Sequence, residues 1–575
     1  MNLTSAANEL AVDDETGQIR QISRAGRGYL KEADQTDRGP FRLHLPLDDF
    51  EAHMVEGSRV APTVTGDGAQ VRVRYEGVRS KRGFYDIPAT VTIRSRSDGS
   101  FAMGLTLENR TDRPVPQVFF PYLESFGQVE NRQDRITFAK SHFQPWVTWD
   151  ELPDGHTIAF AWHSGHSARP EFCQDYIDPS KAGMKWMDFG NQGGGISLYN
   201  EDVTTTFQTM YACIKRFGHD TIDLSWFFYP FIGPGGAWQS PEFVLYPHPG
   251  DWHAGVLKYK EFAGRAFTPA TSTAERSRSL GQATLWLWWH YQDWQNVEYR
   301  FGDIPTFAAE FAEAGITEMT VARATELDFC LPHKVRQTLG TDAELCRAVE
   351  ECRQLGVNAI PFITCYHIRP DTIPPDQDKD EWYAQNAAGM YYGEGNTWTY
   401  DPLMTPVMNV RQIGSRAAYT SCPGSRHWQA AFRSFIRDVV YGTWGYRGYM
   451  FDCSCVPFHL CFNPLHDHGP AEPNNEMLAI FRETKAFLLE RDGDRAVMSG
   501  EGLLDAYTEV MDYTWIWHRF GDEDYAPFHM AFPRARDCMK VNDRKTLINR
   551  VFTAGYWLDL FLEDGSGRLR DYPEL

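Results

Sequence analysis

The chain has 575 residues, with 56 Lys or Arg against 77 Asp or Glu and a net charge of −21. That length accommodates roughly two to four domains and excludes a mini-protein scaffold, and that charge repels phosphate backbones and anionic lipid, so neither nucleic acid nor a membrane is an expected partner. Eleven cysteines, an odd number without regular spacing, exclude a complete disulfide framework and read as reduced thiols.

Aromatic residues make up 14% of the chain. Indole and phenol faces stack on sugar rings as well as filling cores, so the excess fits a carbohydrate-handling protein without requiring one. The opening MNLTSAANELAVDDETG has no basic stretch followed by an apolar run, so no signal peptide is expected and the chain reads as cytoplasmic; a signal removed upstream of residue 1 would make it secreted instead. No stretch approaches 18 uninterrupted apolar residues.

From residue 1 to about 250 the apolar period is two. Val71, Val73 and Tyr75 alternate with Arg72 and Arg74, and Phe101, Met103, Leu105 and Leu107 alternate along FAMGLTLE behind an SDGS turn at 97–100. Half-buried antiparallel strands follow, and residues 1–250 are expected to form a large β-sandwich. Residues 251–280 hold a helical pattern at 253–267 and a polar linker.

After the linker the period lengthens. ATLWLWW at 283–289 reads as a buried strand, followed by a helix capped by Asp303, started by Pro305 and closed by Gly315. ITEMTVA is the second strand; Thr341 and Glu344 form a capping box for a helix stopped at Gly356, and VNAIPFI at 357–363 is the third strand. Trp428, Phe432, Phe435, Ile436 and Val439 mark one helical face before GYMF at 448–451, and Met477, Phe481, Thr484 and Leu488 mark another before AVMSG at 496–500. Strands six to eight are expected at 512–517, 529–534 and 556–561. Alternating strands and helices over 281–575 predict a (β/α)8 barrel, with its closing helix missing or one strand misplaced, because the last predicted strand runs almost to the final DYPEL. No GxGxxG supports a doubly wound sheet.

Barrel chemistry sits at the C-terminal ends of the strands. Asp452 directly follows GYMF and Glu501 directly follows AVMSG, which places two carboxylates on neighbouring strands. Neighbouring strands lie about 4.8 Å apart, close to the roughly 5–5.5 Å between the carboxyls of a retaining glycosidase. Asp452 projects straight from its strand and suits the nucleophile. Glu501, between Gly500 and Gly502, suits the acid/base. Either one alone is also an ordinary helix cap or ion-pair partner. Trp289, His290, Tyr366, His367 and Trp515, with Trp517, gather at the same predicted rim as candidate sugar-binding residues, although buried packing suits each of them as well. Asp512, at a strand start, reads first as structural; it is kept among the substrate-binding candidates and is the substitute carboxylate if Glu501 is not the acid. The loop CSCVPFHLCFNPLHDHG after Asp452 holds Cys453, Cys455, Cys461, His466 and His468, a set of zinc-ligand types whose spacing matches no standard framework. His466 and His468 are therefore assigned to substrate, and no metal or cofactor is expected. Two rivals remain: a non-catalytic carbohydrate-binding protein, and a metal-dependent enzyme using the Cys/His loop.

Five segments carry a resemblance: ANELAVDDETGQIRQI, GMKWMDFGNQGGGISLYNED at 183–202, HPGDWHAGVLKYKEFA at 248–263, GYMFDCS, and SGEGLLDAYTEVMDYTW at 499–515. They look like an uncharacterised bacterial glycoside-hydrolase-like family similar to the endo-α-N-acetylgalactosaminidases. The resemblance implies an N-terminal β-supersandwich of the galactose-mutarotase type followed by a catalytic barrel. It also implies an Asp nucleophile after the fourth strand and a Glu acid/base after the fifth, carried here onto Asp452 and Glu501, and an α-linked oligosaccharide or glycoside as substrate.

Overall fold

The structure is a computed structural model. It describes residues 1–32, 39–45, 54–56, 60–80, 83–129, 134–140, 146–148, 157–161, 182–215, 221–270, 281–287, 299–325, 331, 334–365, 367–387, 389, 391–392, 419–452, 454, 460–502, 504–516, 526–541, 548–549, 551, 556–561 and 569. Two compact units divide the chain. One comprises Met1–Ala266, Gly469–Ala471 and Gly521–Pro533, and the other Phe267–His468, Glu472–Phe520 and Arg534–Leu575.

The first unit is built from antiparallel sheets of four, eight and ten strands. Strand Gln70–Tyr75 buries Val71, Val73 and Tyr75 and exposes Arg72 and Arg74, as the period of two requires. It pairs with Ala89–Ser95, which pairs in turn with Phe101–Glu108. The inner faces of the two large sheets share one apolar cluster, with Val73, Ile93 and Met103 from the ten-stranded sheet against Val118, Leu224 and Trp226 from the eight-stranded one. Helix α1 (Trp252–Ala266) also belongs to this unit and lies on strands Ala182–Asn191 and Gly194–Asn200 of the ten-stranded sheet.

The second unit is a closed barrel of eight parallel strands. These are β1 (Gly281–Trp286), β2 (Glu318–Ala322), β3 (Asn358–Thr364), β4 (Gly448–Asp452), β5 (Val497–Glu501), β6 (Tyr513–Ile516), β7 (Asp537–Val541) and β8 (Trp557–Phe561). Helix α2 (Ile304–Glu313) starts after Asp303 with a proline in its first turn, but the Asp303 side chain does not cap it and accepts instead from the Arg300 N–H at 2.7 Å; Gly315 beyond its end has a left-handed φ of 79°. Helix α3 (Asp342–Gln354) carries both halves of the Thr341–Glu344 capping box. Helices α4 (Arg426–Ser434) and α5 (Pro473–Asp492) precede β4 and β5.

Two further expectations fail. The segment at 529–534 is not strand seven; it overlaps helix α6 (Ala526–Ala531), which belongs to the first unit. Phe528, Ala531 and Phe532 are buried at i, i+3 and i+4, with the two rings 4.9 Å apart, so the period there is helical. Strand seven is Asp537–Val541, and with it the sheet closes on β8 and β1. One of the two readings offered for the end of the barrel, a misplaced strand, is thus found at strand seven, and the segment after β8 lies outside the described residues except at 569.

The second failure is one position in a helix. After α4 the chain widens into a π-helical stretch, Phe435–Thr443, in which Trp444 N–H donates to the Val439 carbonyl five residues back. The wider turn moves the next buried position from Val439, which is half-buried, to Val440, which is fully buried. Val440→Ala is therefore expected to cost about 2 kcal/mol in urea unfolding, and Val439→Ala under about 0.5 kcal/mol. Equal losses would return the segment to an ordinary α-helix.

Candidate active site

Strand alternation decides which side chains enter the barrel. Met450 on β4 and Val497 on β5 belong to the interior cluster, whereas Phe451 packs outward on Phe432 and Phe481 of the helices. Two residues beyond Met450 lies Asp452, and four beyond Val497 lies Glu501, so both carboxylates share the inward parity at the C-terminal ends of their strands. The register runs Gly448 with Val497 through Phe451 with Gly500, and one further step sets Asp452 beside Glu501. Both residues are buried, at 3% and 2% exposure.

Each carboxylate is held locally. Asp452 Oδ2 accepts a hydrogen bond from Thr364 Oγ1 at 3.1 Å, a neighbour supplied by the end of β3. Ser454 clamps the backbone of Glu501: its Oγ accepts from the Glu501 N–H at 2.9 Å and donates to the Glu501 carbonyl at 3.3 Å. That clamp needs the glycine at 500, because a Cβ there would run into Ser454 Oγ and the Met511 side chain. Gly502, with φ of 81°, turns the chain off the strand and donates to the Trp515 carbonyl at 2.7 Å.

Beneath the carboxylates the barrel is lined by aromatic rings. Phe362 lies 5.8 Å from Trp286 and 5.8 Å from Trp515, and Trp515 pairs in register with Glu501. Arg323, the first residue after β2, stacks its guanidinium 4.9 Å above the Trp286 ring and holds a left-handed φ of 67°. Such a backbone conformation is costly for a non-glycine residue and is commonest at functional sites. The signal for Arg323 was the one used for Asp452, a charged residue directly after a buried strand, but sequence reasoning applied it only to acids. Deeper in the barrel, Asp559 Oδ1 accepts from Gln282 Nε2 at 3.1 Å and Thr284 Oγ1 at 2.8 Å, and Gln282 Oε1 accepts from Thr320 and Tyr513. Cys538, inside the same barrel, is no candidate nucleophile: burial first, and then the Asp559, Glu318 and Asp537 carboxylates, push its thiol well above the ordinary range.

The remaining expected site residues separate. Trp515 joins the aromatic lining. Asp512 lies at the opposite end of β6 from the carboxylate pair and is tied to the scaffold, its Oδ2 accepting from Lys485 Nζ at 2.5 Å and from the Met498 N–H at 2.8 Å. That position makes it a fastener of α5 against β5, in keeping with its structural reading and at odds with its substitute and substrate-binding ones. His466 and His468 turn to Cys461 and to Cys422, a residue that the sequence reading left out. Cys461 is buried, which alone would raise its thiol, yet hydrogen bonds from Cys422, His466 and His468 hold it well below the ordinary range. His367 lies in a two-residue strand paired with Tyr419–Thr420. Trp289, His290, Tyr366, Trp517, Cys453 and Cys455 lie outside the described residues.

No family model matches the chain, and no curated protein does. Solved structures do. An α-N-acetylgalactosaminidase from Bifidobacterium bifidum, in complex with GalNAc, superposes with a TM-score of 0.66 at 12% identity, covering 94% of this chain and 84% of that one. A GH36 α-galactosidase from Geobacillus stearothermophilus, a double variant in complex with stachyose, gives 0.56 at 10% identity over 100% and 84%. The galactosidase domain of an α-galactosidase-sucrose kinase gives 0.54 at 11% identity over 99% and 84%. The chain thus shares the fold of multidomain glycoside hydrolases over nearly its whole length.

Proposed function

We propose that this chain is a retaining glycoside hydrolase in which Asp452 attacks the anomeric carbon and Glu501 protonates the leaving oxygen, then deprotonates the incoming water. The observation that carries this reading is the placement of two buried carboxylates side by side at the C-terminal ends of adjacent parallel strands, over aromatic rings. Strand spacing of about 4.8 Å suits direct attack and leaves too little room for the interposed water of an inverting site, whose carboxyls stand about 6.5–9.5 Å apart. The Thr364 hydroxyl stabilises negative charge on Asp452. Ser454 acts on the backbone of Glu501 and leaves its carboxyl unclaimed by that contact.

The substrate class follows by likeness. The structural neighbours are named for α-galactosides and α-N-acetylgalactosaminides, and we assign this chain an α-linked galactosyl or N-acetylgalactosaminyl glycoside. The antiparallel unit is correspondingly a supersandwich of the galactose-mutarotase type. The test is a panel of aryl α- and β-glycosides, with the first-formed sugar followed by proton NMR. Release from the α-galactoside or α-N-acetylgalactosaminide, with the α anomer appearing first, is the expected result. A β anomer appearing first would overturn retention, and saccharide binding without hydrolysis across the panel would overturn the enzyme.

A further inference from the structure

Four metal-ligand side chains meet in the barrel unit, outside the carboxylate pair. Cys422 precedes α4; Cys461, His466 and His468 lie between β4 and α5. One ligand atom from each can be chosen so that all four lie within 4.8 Å of one another. Cys422 Sγ is 3.1 Å from His468 Nε2, and Cys461 Sγ is 3.5 Å from His466 Nδ1. A tetrahedral zinc ion with two thiolates and two imidazoles has S···N edges of about 3.5 Å and an S···S edge of about 3.8 Å, so the two S···N distances and the 4.8 Å limit on the rest are of the required size.

Three further features suit a metal. His466 Nε2 lies 2.9 Å from the Glu381 carbonyl, which takes its N–H and leaves Nδ1, the atom facing Cys461, with its lone pair free for coordination. Residue 424 must be glycine, because a Cβ there would collide with the His468 ring. Both sulfurs are buried, and two thiolates with one dication form a neutral group, which avoids burying uncompensated charge.

We propose that Cys422, Cys461, His466 and His468 bind one structural zinc ion that ties the connection after β3 to the loop after Asp452. Soft sulfur and imidazole donors in a closed tetrahedron select zinc over calcium or magnesium, and four protein ligands leave no open position for a catalytic water. The metal joins residues 39 positions apart that the barrel sheet does not itself connect.

The test uses the full chain expressed in zinc-supplemented medium, purified under reducing conditions and analysed for bound metal. About one zinc per chain is expected, falling below about a tenth in Cys422→Ser and in His468→Ala. Because either variant can unfold, the second measurement is made on the wild type: cobalt taken up during expression should give the intense visible bands of tetrahedral coordination and a near-ultraviolet sulfur-to-metal band. Absence of zinc from the wild type, an octahedral cobalt spectrum, or a Cys422–Cys461 disulfide in protein kept reduced would each overturn the site. None of these readouts depends on hydrolysis, so failure of the zinc site and failure of the glycosidase reading are separable.

Discussion

Asp452→Ala is expected to abolish hydrolysis of every glycoside the wild type cleaves, by roughly 10⁴-fold or more in kcat/KM, the scale on which removing a group that acts as a unit with its partner registers. In the proposed mechanism the residue supplies the bond to the anomeric carbon, and nothing else on β4 would replace it, since the inward neighbour two positions back is Met450. Azide should restore turnover of an activated aryl glycoside in this variant and give the inverted glycosyl azide, because the small anion enters the space that the carboxylate leaves. Glu501→Ala should behave differently. Substrates with poor leaving groups lose about 10²–10⁴-fold, whereas an activated aryl glycoside still forms the intermediate, and azide then releases it with retained configuration. Rescue with the same stereochemistry in both variants, or full activity in either, would refute the assignment. Circular dichroism on both variants guards against a folding defect, since Thr364 and Ser454 touch these residues.

Lys485→Met should destabilise the barrel unit by about 3–5 kcal/mol while leaving chemistry in the folded fraction intact. Its ammonium is buried at 7% exposure and meets the Asp512 carboxylate, itself at 4%. Removing the lysine leaves a buried carboxylate whose Oδ2 still accepts from the Met498 N–H but has lost the ammonium. Asp512→Asn keeps an oxygen for that N–H but removes the negative charge facing the buried ammonium, so it should cost a similar amount. The double variant Lys485→Met/Asp512→Asn removes both charges and should cost less than the two single losses added together, a coupling of roughly 1–3 kcal/mol in urea denaturation. The same series separates scaffold from chemistry. A loss of kcat/KM in folded Asp512→Asn comparable to that of Glu501→Ala, without loss of stability, would return Asp512 to the active site.

The elements whose pattern is local were legible in the sequence. Thr341 and Glu344 are three residues apart because the box closes across one helical turn, so the start of α3 could be read without tertiary information. Asp452 and Glu501 were legible for a related reason: each ends a short buried strand, and parallel barrels expose that end. A run such as HMAFPR resists this treatment. Short apolar runs fit a strand or one helical turn equally well, and the deciding burial of Phe528, Ala531 and Phe532 comes from the sheet unit that α6 joins. Val440 in place of Val439 is of the same kind, since a π-helical widening has no periodic signature in a single sequence.

What the sequence by itself determined was therefore the alternation of strand and helix, their caps, and two carboxylates at adjacent strand ends, all properties of neighbours along the chain. Only the tertiary structure decided what those residues face. It put Arg323 on Trp286, turned Asp512 toward Lys485, and brought Cys422 across a helix and a strand to Cys461, His466 and His468. Contacts of that kind depend on barrel closure, which joins positions by register and parity around the sheet, and no spacing along the chain encodes the angle at which two loops meet above it.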